Sequence, residues 1–366
     1  MGTGASSCAP GSRWARIEVT RATINDVARL AGVSRATVSL VLRGSSRVAE
    51  ETEARVQAAI ARLNYRPSHL ASGLRSRRSH LIGLVVSSLT YPHHARIALG
   101  LEQSLEPHGL SVLVANSRQS VERERAHIER LRRYQADGVV ITPLQIRPAD
   151  ARHLLDLRAE GFPMVTAYRE IPGLEVDFVG VDTGDSIRQL VDHLAALGHQ
   201  RIAFLAGGDE SPIRAARIAA WHDAMLSCGL EPDPALVVTD ALGPYSGEAA
   251  IRILLDRHLP FTAVIGSNDF FALGALRALH QAGRLVPHEV SVAGIGGFEP
   301  LMSPEKRLTT VVHDFEQVGR LAGELLLRRI AGPRQDKVER HIIPARLLPG
   351  ETTAPPPARH SRVERH

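Results

Sequence analysis

The side chains with the most chemical promise lie near the start of the chain. Ser34-Arg35-Ala36-Thr37 follows the turn residues Gly32-Val33 and opens a short, basic, polar segment ending near Arg43. A short helix of this kind, set behind a tight turn, suits hydrogen bonding to base edges and phosphates. Elsewhere the reactive types lack catalytic spacing. His93-His94 is an adjacent pair with no Cys or third His at metal-binding distance, and Cys8 and Cys228 are the only cysteines. Two thiols cannot make a disulfide framework, which fits a reducing compartment and no structural zinc. Gly294–Gly297 is too short for a dinucleotide fingerprint and lacks an acidic partner about 20 residues on. With no nucleophile elbow and no phosphate-cradling loop, an enzyme is not expected.

The elements that must position the basic segment form three short helices between Thr23 and Pro67. Thr23 with Asp26 gives a start signal, and Gly32 supplies the positive φ that ends the first helix. Ser34 caps a second helix, Arg35 to Leu42, and a third runs from about Glu50 to Asn64. Ala31, Val33, Val38 and Leu42 pack this unit, which leaves Arg35, Ala36, Ser39, Leu40 and Arg43 facing outward. Residues 1–80 carry 13 Arg against 5 acidic residues, whereas the other 286 carry 31 basic and 34 acidic. The whole positive excess of the +5 chain therefore lies in its first fifth, which marks a nucleic-acid surface.

Beyond a basic linker the texture becomes alternating strand and helix, starting with Leu81–Val86, Ser111–Ala115, Gly138–Thr142 and Met164–Ala167. It continues through Phe178–Val181, Arg201–Ala206, Ala263–Gly266 and Val290–Gly294. Repeated β-α units imply parallel sheets with helices on both faces, and about 270 residues of them imply two lobes. The expected organisation is a disordered leader at 1–21, a helix-turn-helix domain at 22–67 and a linker at 68–80. A core at 81–351 and a disordered Pro- and Arg-rich tail at 352–366 complete it. Within the core, the first lobe takes about 81–182 and 311–342, and the second about 183–310 and 343–351. The fold class is thus an all-α helix-turn-helix head plus an α/β core of two doubly wound parallel-sheet lobes. No apolar run reaches the roughly 18 residues of a membrane span, and no secretion signal opens the chain. A cytoplasmic protein with no membrane partner is expected.

TINDVARLAGVSRATVSLVLRGSSRVAEET followed by AAIARLNYRP strongly resembles the head of the lactose-repressor (LacI/GalR) family. The likeness continues in register through LGHQRIAFLAG, SNDFFALGAL, VSVAGIG and LTTVVHDF, over about residues 22–350. The resemblance implies a homodimeric transcription regulator, a repressor by family default, on a palindromic double-stranded DNA operator. It places Arg35, Ala36 and Leu40 at base-reading positions, with Ser39 and Arg43 on the same face. Thr23, Ser34, Thr37 and Val48 fall near phosphates, and Tyr65 closes the DNA-binding set of the head. Ser68 to Arg75 corresponds to a hinge that folds on DNA, where His69 and Leu70 lie at the duplex and Leu74 wedges into the minor groove.

The remaining chain is similar to periplasmic sugar-binding folds, with a small-molecule effector of unknown identity between the lobes. Ser87, His93, His94, Tyr168, Arg217, Asn268, Asp269 and Phe315 fall at the effector positions, and no cofactor or metal is implied. Other roles compete at some of them. Arg217 is also a candidate interlobe salt bridge, His93-His94 a helix-start filler and Asp269 a cap for the following helix.

Several positions depart from the family pattern. Leu40 stands where a guanine-reading arginine is usual, a contact worth about 1–3 kcal/mol per half-site. Ala49 replaces a serine cap, so the third helix is expected to fray. Gly73, inside the hinge, costs roughly 1 kcal/mol against alanine. In the cleft, Gly296 replaces a sugar-gripping aspartate, Leu242 an aromatic platform and Tyr168 an acidic residue. Buried hydroxyls need such partners, so the pattern points to an effector that is larger, anionic or absent. A regulator answering to a protein coeffector, or to none, is the alternative; a stand-alone solute-binding protein would have neither head nor cytoplasmic address.

Overall fold

The computed structural model describes residues 22–42, 44–65, 79–144, 151–207, 212–239, 246–298, 307–332 and 337–357. Arg43, His69, Leu70, Gly73, Leu74 and Leu242 lie outside the described residues. The chain divides into two compact units, Met1–Arg77 and Arg78–His366.

In the first unit, α1 (Ile24–Ala31), α2 (Arg35–Val41) and α3 (Glu50–Arg62) surround a core of Val27, Ala28, Ala31, Val38, Val41, Val56 and Ala59. The fully buried position at the end of α2 is Val41, with Leu42 at the edge of the core. Local chemistry sets the helix ends. Thr23 N donates to Asp26 Oδ2 at 2.9 Å while Asp26 N donates back to Thr23 Oγ1, which closes a capping box. Gly32 takes φ +63, and a Cβ there would lie 2.9 Å from the Arg55 guanidinium. That guanidinium donates to Ala31 O at 2.6 Å, so α3 fastens the carbonyl end of α1. Ala49 gives α3 no side-chain cap, yet the helix starts at Glu50 as expected; three first-turn glutamates (50, 51 and 53) complement the helix dipole instead.

In the second unit, a first α/β run comprises β1 (Leu81–Val86), α4 (Pro92–Leu105), β2 (Ser111–Asn116), α5 (Val121–Arg133) and β3 (Gly138–Ile141). It goes on through α6 (Arg152–Ala159), β4 (Met164–Tyr168) and β5 (Asp177–Val181). A second run follows with α7 (Thr183–Ala196), β6 (Ile202–Leu205), α8 (Pro212–Ser227), β7 (Val237–Val238) and α9 (Gly247–Asp256). It is completed by β8 (Ala263–Gly266), α10 (Asp269–Gln281), β9 (Ser291–Gly296) and β10 (Thr309–His313). The chain then returns through α11 (Phe315–Ala331) and β11 (Arg340–Ile343), and ends in β12 (Ala345–Leu348).

Two six-stranded sheets result, in the orders β11-β5-β4-β3-β1-β2 and β12-β10-β9-β8-β6-β7. All pairings are parallel except β12 against β10. Both faces of each sheet carry helices, which explains why strands such as LIGLVV read as continuous apolar runs.

The chain passes between the lobes after Val181, after His313 and at Pro344. The second passage comes later than the expected boundary at 311, because β10 stays paired with β9 as far as Val312. The tail also differs from expectation over Thr352–Pro357. Thr352 is fully buried: its hydroxyl donates to Val292 O at 2.6 Å and accepts from Thr309 N at 2.9 Å. Ala354 N donates to Ser291 Oγ at 3.0 Å, and the Ala354 carbonyl lies 2.9 Å from His199 Nε2. Proline enrichment suggested disorder, but Thr352, Thr353 and Ala354, just ahead of the three prolines 355–357, find polar partners on β9 and β10.

In the first lobe α4 and α11 cross at backbone contact. A Cβ on Gly100 would sit 1.9 Å from Glu316 O, and one on Gly319 would sit 2.1 Å from Ile97 O. Only glycine allows this approach. It positions the start of α4, which carries His93 and His94, against the start of α11, which carries Phe315.

Candidate functional site

In the head, the start of α2 presents Arg35 and Ala36 to solvent, with Ser39 and Leu40 half-exposed one turn on. Ser34 Oγ accepts from Thr37 N at 3.1 Å and lies 2.9 Å from Thr37 Oγ1, so both hydroxyls brace the helix start. Thr23 is likewise engaged in its capping box. Val48 and Tyr65 are half-buried against the head core. The outward face of α2 is therefore basic and polar, on a unit whose ends are fixed by hydrogen bonds.

The second site gathers at the carboxyl ends of the core strands, where both lobes contribute. Among the described residues, six buried side-chain polar atoms have no hydrogen-bond partner. Four of them are Ser87 Oγ, His93 Nε2, Arg217 Nε and His313 Nδ1. Ser87 follows β1 and His93 lies in the first turn of α4 in one lobe; Arg217 on α8 and His313 on β10 belong to the other. His93, Arg217 and His313 are neighbours. The Arg217 charge acts on both His93 and His313, and a ring chain runs from His313 to Phe315 (5.6 Å between centroids), His93 (5.2 Å) and Tyr168 (4.5 Å). A buried polar group without a partner costs on the order of 1–3 kcal/mol, so such a set at the ends of doubly wound sheets marks a place for a ligand.

The histidines differ in what they offer. His94 Nδ1 lies 2.5 Å from the Ser88 carbonyl and must donate to it, which makes Nε2 the acceptor for the Thr142 hydroxyl at 3.2 Å. Thr142 Oγ1 in turn accepts from Ser87 N. Both nitrogens of His94 are thus satisfied: it orders the turn after β1 and presents nothing to a ligand, contrary to the sequence expectation. His313 is the reverse case. Ser186 Oγ spends its proton on Asp182 O, so it accepts from His313 Nε2 at 2.8 Å and leaves Nδ1 as a free acceptor. Burial holds His94 and His313 at about 4 and His93 well below its usual value, with the nearby Arg217 charge adding to the effect on His93 and His313. All three rings are neutral at pH 7.

Two further expectations change. Asn268 is the N-cap of α10, its Oδ1 accepting from Phe271 N at 3.0 Å, which leaves its amide nitrogen for a ligand. Asp269 is turned inward and 1 % exposed. Its Oδ1 accepts from Thr310 Oγ1 at 2.6 Å and its Oδ2 from Phe298 N at 3.0 Å. It braces the turn after β9 and does not face the cleft. Burial raises its pKa, with these hydrogen bonds opposing the rise. Phe315, 4 % exposed, is the floor beneath His93 and Tyr168.

Tyr168 lies at the cleft with φ +65, because Arg169 N donates to Ala167 O at 2.7 Å and closes a γ-turn around it. This conformation is rare and strained for a bulky residue, as is frequent at ligand clamps. The Arg169 guanidinium lies 5.5 Å from the Tyr168 ring centroid. Sequence reasoning missed His313, Arg169 and Tyr91, whose ring stacks on His93 at 5.5 Å. The clustering of aromatics and histidines in YPHH and the His of VVHDF were the available signals. No group of three or more His, Cys, Asp or Glu able to hold a metal occurs among the described residues.

A capped helix-turn-helix unit followed by a two-lobed, periplasmic-binding-protein-like core defines a DNA-binding transcription regulator. Residues 23–68 match the family of bacterial regulatory proteins, lacI family, and residues 191–353 match a periplasmic binding protein-like domain. The chain is 34% identical over 339 residues to the transcriptional regulator CelR of Thermobifida fusca, covering 91% of this chain and 98% of that one. It is 32% identical over 314 residues to the regulator PtxS of Pseudomonas putida, covering 85% and 90%. The lac repressor dimer, solved bound to operator and the anti-inducer ONPF, superposes with a TM-score of 0.81 at 30% identity, over 91% of this chain and 99% of that one. The chain belongs to the lacI family. It is a transcriptional regulator, as these relatives are, and not an enzyme. Among the described residues no helix is long and apolar enough to cross a membrane.

Proposed function

We propose that this regulator is a repressor that grips a palindromic operator as a homodimer, with a small-molecule effector in the interlobe cleft setting its DNA affinity. The observation that carries the effector reading is the set of four unpartnered buried polar atoms, supplied by both lobes, at the carboxyl ends of the strands. A ligand that satisfies atoms of both lobes binds one degree of closure better than another, which is the condition for shifting a conformational equilibrium.

Dimerisation is supported by a groove of about 680 Å3 on the first lobe, where Leu89, Leu113, Val114 and Tyr134 lie among Arg118, Arg123 and Arg130. Leu89 is 55% exposed and Tyr134 52%, an exposure that favours covering by a second copy. Base reading falls to Arg35, Ala36, Ser39, Leu40 and Arg43, and phosphate contact to Thr23, Ser34, Thr37, Val48 and Tyr65. His69, Leu70 and Leu74 serve at the operator centre. Action on DNA places the protein in the cytoplasm.

The test is selection of bound duplexes from a randomised library at about 100–150 mM salt, where non-specific phosphate attraction is weak. The full chain should enrich a palindrome with a flexible central step, and Leu74→Ala should lose it. Recovery of no preferred sequence overturns the reading of a specific regulator. Operator affinity that no small molecule alters would favour a protein coeffector or effector-free control.

A further inference from the structure

The cleft is supplied with hydrogen-bond donors and positive charge but is short of carboxylate acceptors. Arg217 has a buried Nε without an acceptor, and among the described residues no carboxylate pairs with it. Every charge that acts on His93 is cationic or a histidine: Arg169 and Arg217 from fixed charges, His94 and His313 from rings. Among the described residues the nearby carboxylates are engaged with other partners, although the charges of Asp182 and Asp185 reach His313. Asp269 is held by Thr310 and Phe298. Asp182 caps α7 by accepting from Asp185 N, and Asp185 pairs with Arg188 and Gln189.

Gly296 completes the picture. It takes φ +143, and a Cβ there would come within 2.6 Å of the Phe298 ring and 3.2 Å of Asp269 Oδ2. The backbone at that point is closed to an acidic side chain that could grip hydroxyls. A neutral polyol brings a donor with every hydroxyl and needs acceptors to match, whereas among the described residues the unpartnered acceptors of this cleft are His313 Nδ1, the Ser87 hydroxyl and, in its acceptor tautomer, His93 Nε2. An anion needs donors.

We infer that the effector is a polyhydroxylated anion, a sugar acid or a sugar phosphate, whose charged head meets Arg217 and whose hydroxyls meet Ser87 and His313. The inference rests on the proposal that the cleft takes an effector. Arg169, at the rim beside Tyr168, adds attraction for the same charge. Charge-assisted pairing of this kind is worth roughly 10- to 100-fold in affinity, and more strongly so where water is excluded.

The experiment uses the full chain, with calorimetry and thermal shift at pH 7.5. Matched sets are titrated: glucose and cellobiose as neutral probes, gluconate and glucuronate as acids, glucose 1- and 6-phosphate as phosphates, and inorganic phosphate as the bare anion. The expected result is binding by one anionic class at least tenfold tighter than by the neutral sugar of the same skeleton, weakening with added NaCl. Which class binds, acid or phosphate, identifies the source. Arg169→Gln should weaken the anion about tenfold, while Arg169→Lys should restore most of the affinity. Equal or tighter binding of neutral sugars overturns the anionic assignment and leaves the effector site standing. Binding of nothing, with operator affinity unchanged by every compound, overturns both.

Discussion

Acidification tests the buried histidine cluster directly. His94 and His313 sit at about 4 in the folded protein against 6.5 as the ordinary value, mainly through burial. Their neutral forms are favoured by folding, so the unfolded chain binds protons first as pH falls. Stability is therefore unaffected well above 6.5, declines as pH drops below 6.5 and levels only near 4. Between pH 7 and pH 5 the unfolded chain takes up about 0.7 of a proton at each site and the folded chain about 0.1. Integrating that difference gives a loss of about 2 kcal/mol per histidine, roughly 4 for the pair. His93, shifted in the same direction, adds to it. Urea unfolding followed by the fluorescence of Trp221, which is 1% exposed in the second lobe, reads the change. His313→Gln keeps a donor for Ser186 but cannot titrate. Its stability should fall by about 2 kcal/mol less than that of the parent over the same interval. Parallel curves for parent and variant, or a parent whose stability is flat from pH 7 to 5, would refute the placement of these rings as buried and neutral.

Ala49→Ser supplies the missing cap of α3 and should raise head stability by about 0.5–2 kcal/mol, read from the head's own melting transition. Arg329 donates to both carboxylate oxygens of Asp177, at 2.6 and 2.5 Å, and Asp177 is 1% exposed. Arg329→Met strands that carboxylate and should cost about 3–5 kcal/mol in chemical denaturation; a loss below 1 kcal/mol would deny the buried pair its importance. Gly319→Ala drives a methyl into the Ile97 carbonyl and should destabilise the core by about 1–3 kcal/mol or more, whereas the same change at open Gly109, though strained at φ +66, meets nothing within 4 Å.

The head was legible because its determinants are local. Thr23, Gly32 and Ser34 each act on backbone within a few residues, and the structure puts them where the spacing requires. The strands of the core were legible for a related reason, since a strand covered on both faces leaves a continuous apolar run. The cleft was only half legible. That His94 is satisfied and His313 is not depends on Ser88, Thr142 and Ser186, the last 127 positions from His313. The inward turn of Asp269 depends on Thr310, 41 positions away. Side-chain type states what a residue can donate or accept, and only the fold states whether a neighbour has already taken it. The buried tail was missed for the same reason, since its partners on β9 come 60 or more positions earlier.

The glycine crossing of α4 and α11 has a mechanical consequence. With Gly100 and Gly319 each pressed to the other helix's backbone, the two helices cannot slip past one another by small steps. They behave as one stiff lever, loaded at its cleft end through His93 and Phe315. A push delivered there cannot be absorbed by soft repacking beside the lever. Such a push is passed to the first lobe as a whole, and among the described residues the chain crosses between the lobes after Val181, after His313 and at Pro344.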